Sequence, residues 1–220
     1  MAKNDSNRDK AMKNARISRT FPKFFTGALY LIMEKKRYLT DQELLNDSFE
    51  LGLRIFKSGF KPSFIIAVWR GGTPVGIAVQ EMLDHLGVKT DHIAIRTSSY
   101  YGIKKREKKV RVHGLEYVIQ QANWEDGLLI VDDVFDSGSS IKAIIRALKS
   151  KMRRNLPKDI RVATPWFKPK YNVTDFAPEY YIHETDQWLV FPHELDGLTR
   201  KEIFANKPGL KKIFKDAGLD

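Results

Sequence analysis

The chain has no cysteine. That excludes a disulfide framework, a cysteine-ligated zinc or iron–sulfur site and a thiol nucleophile. Histidine is scarce, five residues in 220, and nothing in its placement suggests a metal site. No apolar run approaches the ~18–20 residues that a membrane span needs. The first residues are polar and lack the apolar core of a secretory signal. A cytoplasmic protein with no membrane partner is therefore expected. Internal repeats and low-complexity segments are also missing.

Acidic residues are outnumbered: 38 Lys and Arg stand against 27 Asp and Glu, a net charge of +11. Such a balance suits an anionic partner, whether nucleic acid, a membrane surface or a phosphorylated metabolite. The excess is concentrated in two places. Residues 1–37 carry ten basic residues against three acids, and residues 104–111 read KKREKKVR. Most of the second run reads as solvated charge. The remaining composition is ordinary for a globular protein, with 42% hydrophobic and 30% charged residues. A chain of this length buries a sizeable core.

Residues 1–20 are polar, basic and aperiodic, and read as a mobile arm. FFTGALYLIM (24–33) is apolar and reads as a strand or buried lead-in. Thr40 and Glu43 have the spacing of a capping box ahead of a helix. Leu44, Leu45, Phe49, Leu53 and Phe56 follow it as a candidate apolar face, and Gly59 stops it. Short apolar strands and helices then alternate. Strands are expected at 64–68, 92–96, 127–134, 160–164 and 179–184, and helices at 73–87 and 140–152. That rhythm predicts an α/β fold, a central parallel sheet flanked by helices. Residues 97–112 break it and read as a mobile or functional loop.

Ligands of open α/β sheets bind beyond the carboxyl ends of the strands. After the third strand comes Asp132-Asp133-Val134-Phe135-Asp136-Ser137-Gly138-Ser139-Ser140, and then a helix. Residues 137–140 supply backbone amides, three hydroxyls and the positive end of a helix dipole, which together form a phosphate cradle. Gly138 allows the backbone close to an anion. The carboxylates cannot share that phosphate, so they face sugar hydroxyls or a magnesium ion. No Gly-Lys-Ser/Thr sequence follows a glycine as in a Walker A loop.

LLIVDDVFDSGSS resembles the phosphoribosyl-pyrophosphate signature of type I phosphoribosyltransferases, with Ser137 and Ser140 at the family's two threonine positions. The resemblance implies that fold, with a small hood. It also implies that Asp132 and Asp133 hold the ribose hydroxyls and the shell of a Mg2+ cofactor, and that residues 136–140 hold the 5-phosphate. Asp136 would be the general base. Arg70 and Gly71, after the first strand, are similar to the loop that meets the diphosphate. Ser99 and Tyr100 resemble the pair on the family's flexible loop. The C-terminal third is similar to the 6-oxopurine branch. By that likeness Lys168 donates to the purine 6-oxo group, Trp188 stacks on the ring, the backbone at Leu189 meets its far edge, and Glu194 lies on the metal side. A lysine has donors only, which suits a carbonyl better than an amine.

The expected reaction joins hypoxanthine, guanine or xanthine to phosphoribosyl pyrophosphate, giving a nucleoside monophosphate and pyrophosphate. A homo-oligomer is expected, and nucleic acid is not an expected partner. The expected organisation is a basic arm over 1–37, a catalytic domain over 38–195 and an extension over 196–220. Two alternatives stay open: a regulator of the same fold that binds nucleic acid, and an enzyme of the family with another acceptor. Trp69 and His193 have no role in this reading.

Overall fold

The computed structural model describes residues 36–101 and 108–219, without the side chains of residues 99–101, 108 and 109. The arm, the apolar 24–33 segment and the centre of the basic run lie outside the described residues.

Strand β1 (Lys36–Tyr38) leads into helix α1 (Asp41–Lys57). Thr40 Oγ1 accepts from the Glu43 amide at 3.1 Å, but the Glu43 carboxylate turns to Arg37 at 2.8 Å instead of back to the cap. The capping box is thus half made, because a cation nearby is a stronger partner than a neutral amide. The apolar face of α1 is also rotated from its expected position. Leu44, Ser48, Leu51, Gly52 and Ile55 are buried, whereas Leu45 and Phe56 are exposed. Gly52 decides this. A Cβ there would lie 2.8 Å from Met82 Cβ, so α1 meets its neighbouring helix at a glycine.

The central sheet follows. It comprises β2 (Phe64–Trp69), β3 (Asp91–Tyr101), β4 (Lys108–His113), β5 (Gly127–Val131), β6 (Val134–Phe135), β7 (Asp159–Phe167) and β8 (Tyr180–Glu184). The strands run in the order β4–β3–β2–β5–β7, with β6 and β8 also paired to β7. All pairs in it are parallel except β3 with β4. The segment expected as a loop over 97–112 therefore contributes two strand ends, paired from Arg96–His113 to Tyr101–Lys108. Its charged residues hide the strand signal, since a ribbon without a continuous buried face need not alternate cleanly.

Helices α2 (Gly72–His85), α3 (Glu116–Gln121) and α4 (Ser139–Met152) connect the strands. Two cores result. On one face Leu51, Ile55, Val75, Val79 and Leu83 meet Ile65, Leu129 and Ala163. On the other, Val118, Ile141, Ile144 and Leu148 meet Ile66, Leu128, Ile130 and Val162. Successive strand residues serve opposite faces, so the strands read as unbroken apolar runs. A separate two-stranded parallel pair joins β1 to β9 (Trp188–Val190). Helices α5 (Arg200–Asn206) and α6 (Pro208–Asp216) end the chain. Lys36 and Arg37, at the end of the basic arm, lie in β1. Among the described residues, no helix is long and apolar enough to cross a membrane.

Gly76 brings α2 onto β2, where an added Cβ would lie 2.8 Å from Ala67 Cβ. Gly76→Ala is expected to lower stability by about 1–3 kcal/mol, the usual cost of overpacking, despite its better helix propensity. Ala67→Gly in the same chain should recover part of that loss. Urea unfolding of the two single variants and the double variant checks the coupling.

Candidate active site

Three turns converge at the carboxyl ends of the parallel strands. The first follows β5 and β6. Gly138 has φ +71°, and a Cβ there would lie 2.6 Å from the Phe135 ring and 2.8 Å from Thr174 Cγ2. Only glycine fits, for both conformation and space. This left-handed residue opens α4; the Ser139 amide donates to Ser137 Oγ at 3.4 Å, and the N-cap itself offers no side chain to the amides that follow. Ser137 Oγ donates to Ser139 Oγ at 3.1 Å, and the Val173 amide donates to the Ser137 carbonyl at 3.2 Å. The turn is thus braced from behind and presents amides and hydroxyls in front.

The second turn is Arg70-Gly71-Gly72, after β2. The peptide between Trp69 and Arg70 is cis. Thr73 Oγ1 donates to the Arg70 carbonyl at 2.6 Å, closing the turn. Its two glycines have a reason that the sequence reading did not find. A Cβ on Gly71 would fall inside the Asp133 carboxylate, and one on Gly72 would lie 2.5 Å from the Val131 carbonyl. Strands β2 and β5 are neighbours, so the segments leaving them share one small space.

The two acids fill the gap between β5 and β6. The Asp132 amide donates to the Ala163 carbonyl at 3.2 Å, and the Asp133 amide donates to Asp132 Oδ1 at 3.0 Å. Asp132 as a residue is part-buried, but its carboxylate lies beneath Gly72. Burial, and then the neighbouring Asp133 charge, push its pKa well above the ordinary carboxylate value. Asp133 keeps 14% of its side-chain surface, and His193 Nε2 stands 3.7 Å from its Oδ2.

The third turn follows β7. The Lys168 amide donates to the Phe135 carbonyl at 2.9 Å, tying this turn to the first. Lys168 Nζ lies 3.6 Å from Asp136 Oδ2, with the lysine side chain 12% exposed and the aspartate 52% exposed. The same ammonium sits 5.7 Å from the centre of the Tyr171 ring. Tyr171 Oη donates to the Asp186 carbonyl at 3.3 Å, linking the turn to the lead-in of β9. There Trp188 is exposed and Leu189 buried.

Of the residues singled out in the sequence, Arg70, Gly71, Asp132, Asp133 and Ser137–Ser140 therefore gather at one end of the sheet, and Asp136 meets Lys168. The backbone of Ser99 and Tyr100 lies in β3, while their side chains are outside the described set. Glu194 Oε2 accepts from the Phe191 amide at 3.0 Å, so its carboxylate braces its own turn. Its neighbour His193 is the residue that faces Asp133. No spacing pattern marks a lone histidine, and only the tertiary contact reveals it. Thr174, which closes the back of the cradle, carried no signal either.

Asp132 and Asp133 are hard oxygen donors of the kind that Mg2+ takes. Among the described residues no group of three or more His, Asp or Glu could hold a metal. The pair suits an ion that arrives with substrate phosphates, since Mg2+ commonly uses one or two carboxylates plus phosphate oxygens.

A mostly parallel sheet thus carries at its carboxyl end a glycine turn, a paired-acid step and an uncapped helix N-terminus. The phosphoribosyl transferase domain matches residues 35–196. The chain belongs to that family and is a phosphoribosyltransferase of the type I fold. No curated protein matches it by sequence. Solved structures do. A purine phosphoribosyltransferase from Pyrococcus horikoshii Ot3 is 27% identical, with a TM-score of 0.57 over 76% of this chain and 99% of that one. The xanthine-guanine-hypoxanthine phosphoribosyltransferase of Helicobacter pylori is 18% identical, with a TM-score of 0.56 over 81% and 99%. A Neisseria gonorrhoeae hypothetical protein with bound ppGpp is 19% identical, with a TM-score of 0.64 over 80% and 98%. The likeness to purine phosphoribosyltransferases drawn from the sequence agrees with the first of these.

The raised pKa of Asp132 has a stability consequence. Its protonated form is favoured in the folded protein. The associated stability is complete below about pH 4, the ordinary carboxylate value, and is lost as pH rises toward the folded value. Asp132→Asn, which cannot ionise, should therefore unfold at a higher temperature than the ligand-free parent at pH 7–8. The two should converge near pH 4 in thermal melts. A variant that is no more stable at pH 8 would contradict the burial argument.

Proposed function

We propose that the protein transfers the 5-phosphoribosyl group from phosphoribosyl pyrophosphate to a 6-oxopurine, giving the nucleoside 5-monophosphate and pyrophosphate. The observation that carries this reading is the Lys168 ammonium, nearly buried beside Asp136 and joined through Phe135 to the phosphate cradle. A donor-only group held there selects a ring carbonyl.

In this proposal the amides and hydroxyls of residues 137–140 hold the 5-phosphate, and Asp132 and Asp133 accept from the ribose hydroxyls. Arg70, exposed on its turn, meets the diphosphate. Trp188 offers an indole face to the purine, a stack worth ~1–3 kcal/mol per base, and the Leu189 backbone lines its edge. Asp133, with Glu194 on the same side, would hold Mg2+. The ion, when bound, neutralises charge on the diphosphate leaving group. The bond from ribose C1 to the diphosphate oxygen breaks, and one from C1 to the purine nitrogen forms. Asp136 takes the proton that the purine releases at N7. Positioning and charge stabilisation supply most of the rate. A cytoplasmic location suits such phosphorylated substrates.

A panel of radiolabelled bases with phosphoribosyl pyrophosphate and Mg2+ tests the assignment. At least one of hypoxanthine, guanine and xanthine should turn over, and adenine should be slower by about 10³ or more, because its amine would face a buried ammonium. Lys168→Ala should narrow that gap by losing the good substrate. Adenine as the preferred base would overturn the role of Lys168.

The machinery can be dissected in the same assay. Asp136→Asn is expected to slow turnover by about 10²–10⁴, the range for general acid–base catalysis, with phosphoribosyl pyrophosphate still bound. Arg70→Ala and Asp133→Asn should raise the KM for phosphoribosyl pyrophosphate far more than the KM for the base. The opposite split would reverse the two subsites.

A further inference from the structure

We infer that His193 is a positioning residue for phosphoribosyl pyrophosphate. Its Nε2 stands 3.7 Å from the Asp133 carboxylate, placed to donate to that group when ligand closes the gap and to orient it for the ribose hydroxyls. The inference rests on the ribose role proposed above for Asp133.

The turn that carries His193 is held from several sides. The Phe191 amide donates to Glu194 Oε2 at 3.0 Å, and the Glu194 amide donates to the Phe191 carbonyl at 3.0 Å. Lys207, between the two C-terminal helices, donates to the Phe191 and Pro192 carbonyls at 2.8 and 2.9 Å. The His193 ring lies nearly parallel to the buried Phe191 ring, with 5.7 Å between centroids and 19° between planes. The ring is therefore placed before any ligand arrives, with Nε2 aimed at Asp133 Oδ2.

Asp133 needs such a partner. Gly71 crowds the same oxygen from one side with no polar side chain to offer, and Asp132 adjoins it as a second acid that supplies no cation. Among the described residues no other side-chain donor contacts the Asp133 carboxylate. A carboxylate that must accept from two vicinal hydroxyls at once gains from being held in one plane. The 3.7 Å gap is slightly longer than a hydrogen bond, as is common for site contacts that tighten only when ligand binds. His193 thereby ties the C-terminal half of the site to the ribose position, a link that neither segment makes alone.

Steady-state kinetics on the full chain with three variants tests the inference. His193→Phe keeps a flat ring against Phe191 but has no donor. It should raise the KM for phosphoribosyl pyrophosphate about ten- to a hundredfold, the worth of a hydrogen bond to a charged group. The kcat and the KM for the base should change little. His193→Ala should behave alike. His193→Gln, whose amide nitrogen reaches about where Nε2 stands, should restore the KM to within a few-fold of the parent. Thermal melts identify any variant that has merely lost its fold. An unchanged KM in His193→Phe, or Phe and Gln variants that behave alike, would overturn the role of His193. Failure of the underlying reading looks different: Asp133→Asn would then leave the KM for phosphoribosyl pyrophosphate unchanged in the otherwise intact chain.

Discussion

The site depends on the contact between the Asp132-Asp133 step and the Gly71-Gly72 turn. Strands β2 and β5 are paired in parallel up to Ala67 and Val131, so the segments leaving them must pass through the same few ångströms. One solution is a turn without side chains on one strand and small polar acids on the other. The glycines leave no Cβ to collide with the Asp133 carboxylate or the Val131 carbonyl. From that fit follow the position of Arg70, the burial of Asp132 and the direction in which Asp133 points. Any side chain larger than hydrogen at position 71 would move all three.

A second pair of strands, built from distant parts of the chain, packs into the core with Leu51, Val75 and Trp166 through Leu39, Leu189 and Phe191. The β1–β9 pair joins the region near Lys36 to Trp188, and Lys207 bonds the carbonyls just beyond it. Lys36 Nζ donates to Glu202 at 2.7 Å. That bond, with the Thr199 amide and hydroxyl, draws the Glu202 carboxyl down to about 2, so it stays ionised across the ordinary range. The family match ends at residue 196. Residues beyond it nevertheless fix the turn from which His193 reaches Asp133. The outlying helices act here as buttresses of the site, through backbone carbonyls and not through groups that would touch a substrate.

Electrostatics are arranged in the same economical way. The positive excess of the chain is concentrated in residues 1–35 and 102–107, whereas many charges among the described residues are paired. Lys168 stands by Asp136, and Arg37 by Glu43 and over the Trp166 ring at 4.4 Å. The cations that face the site are therefore individual groups at set distances, and no general positive field is needed to account for them.

Much of this was readable in the amino-acid order because it is local. The apolar strands, the turn at Gly138 and the acids from Asp132 to Asp136 form one continuous segment, and backbone geometry carries their relation unaided. Lys168 could be named only through the resemblance to the 6-oxopurine branch, since the strand expected over 160–164 stops short of it and the folded strand runs on to Phe167. Other features were decided by the tertiary structure alone. The stripe of α1 turned because Gly52 meets Met82, the half-made capping box followed from Arg37, and the charged ribbon of β3 and β4 appeared where a loop was expected. His193 found Asp133 only after the chain had folded back across the sheet. Periodicity and spacing record what neighbouring residues do to one another. The partners of Gly71, Asp133 and His193 are distant in sequence, and packing, which no local pattern encodes, chose them.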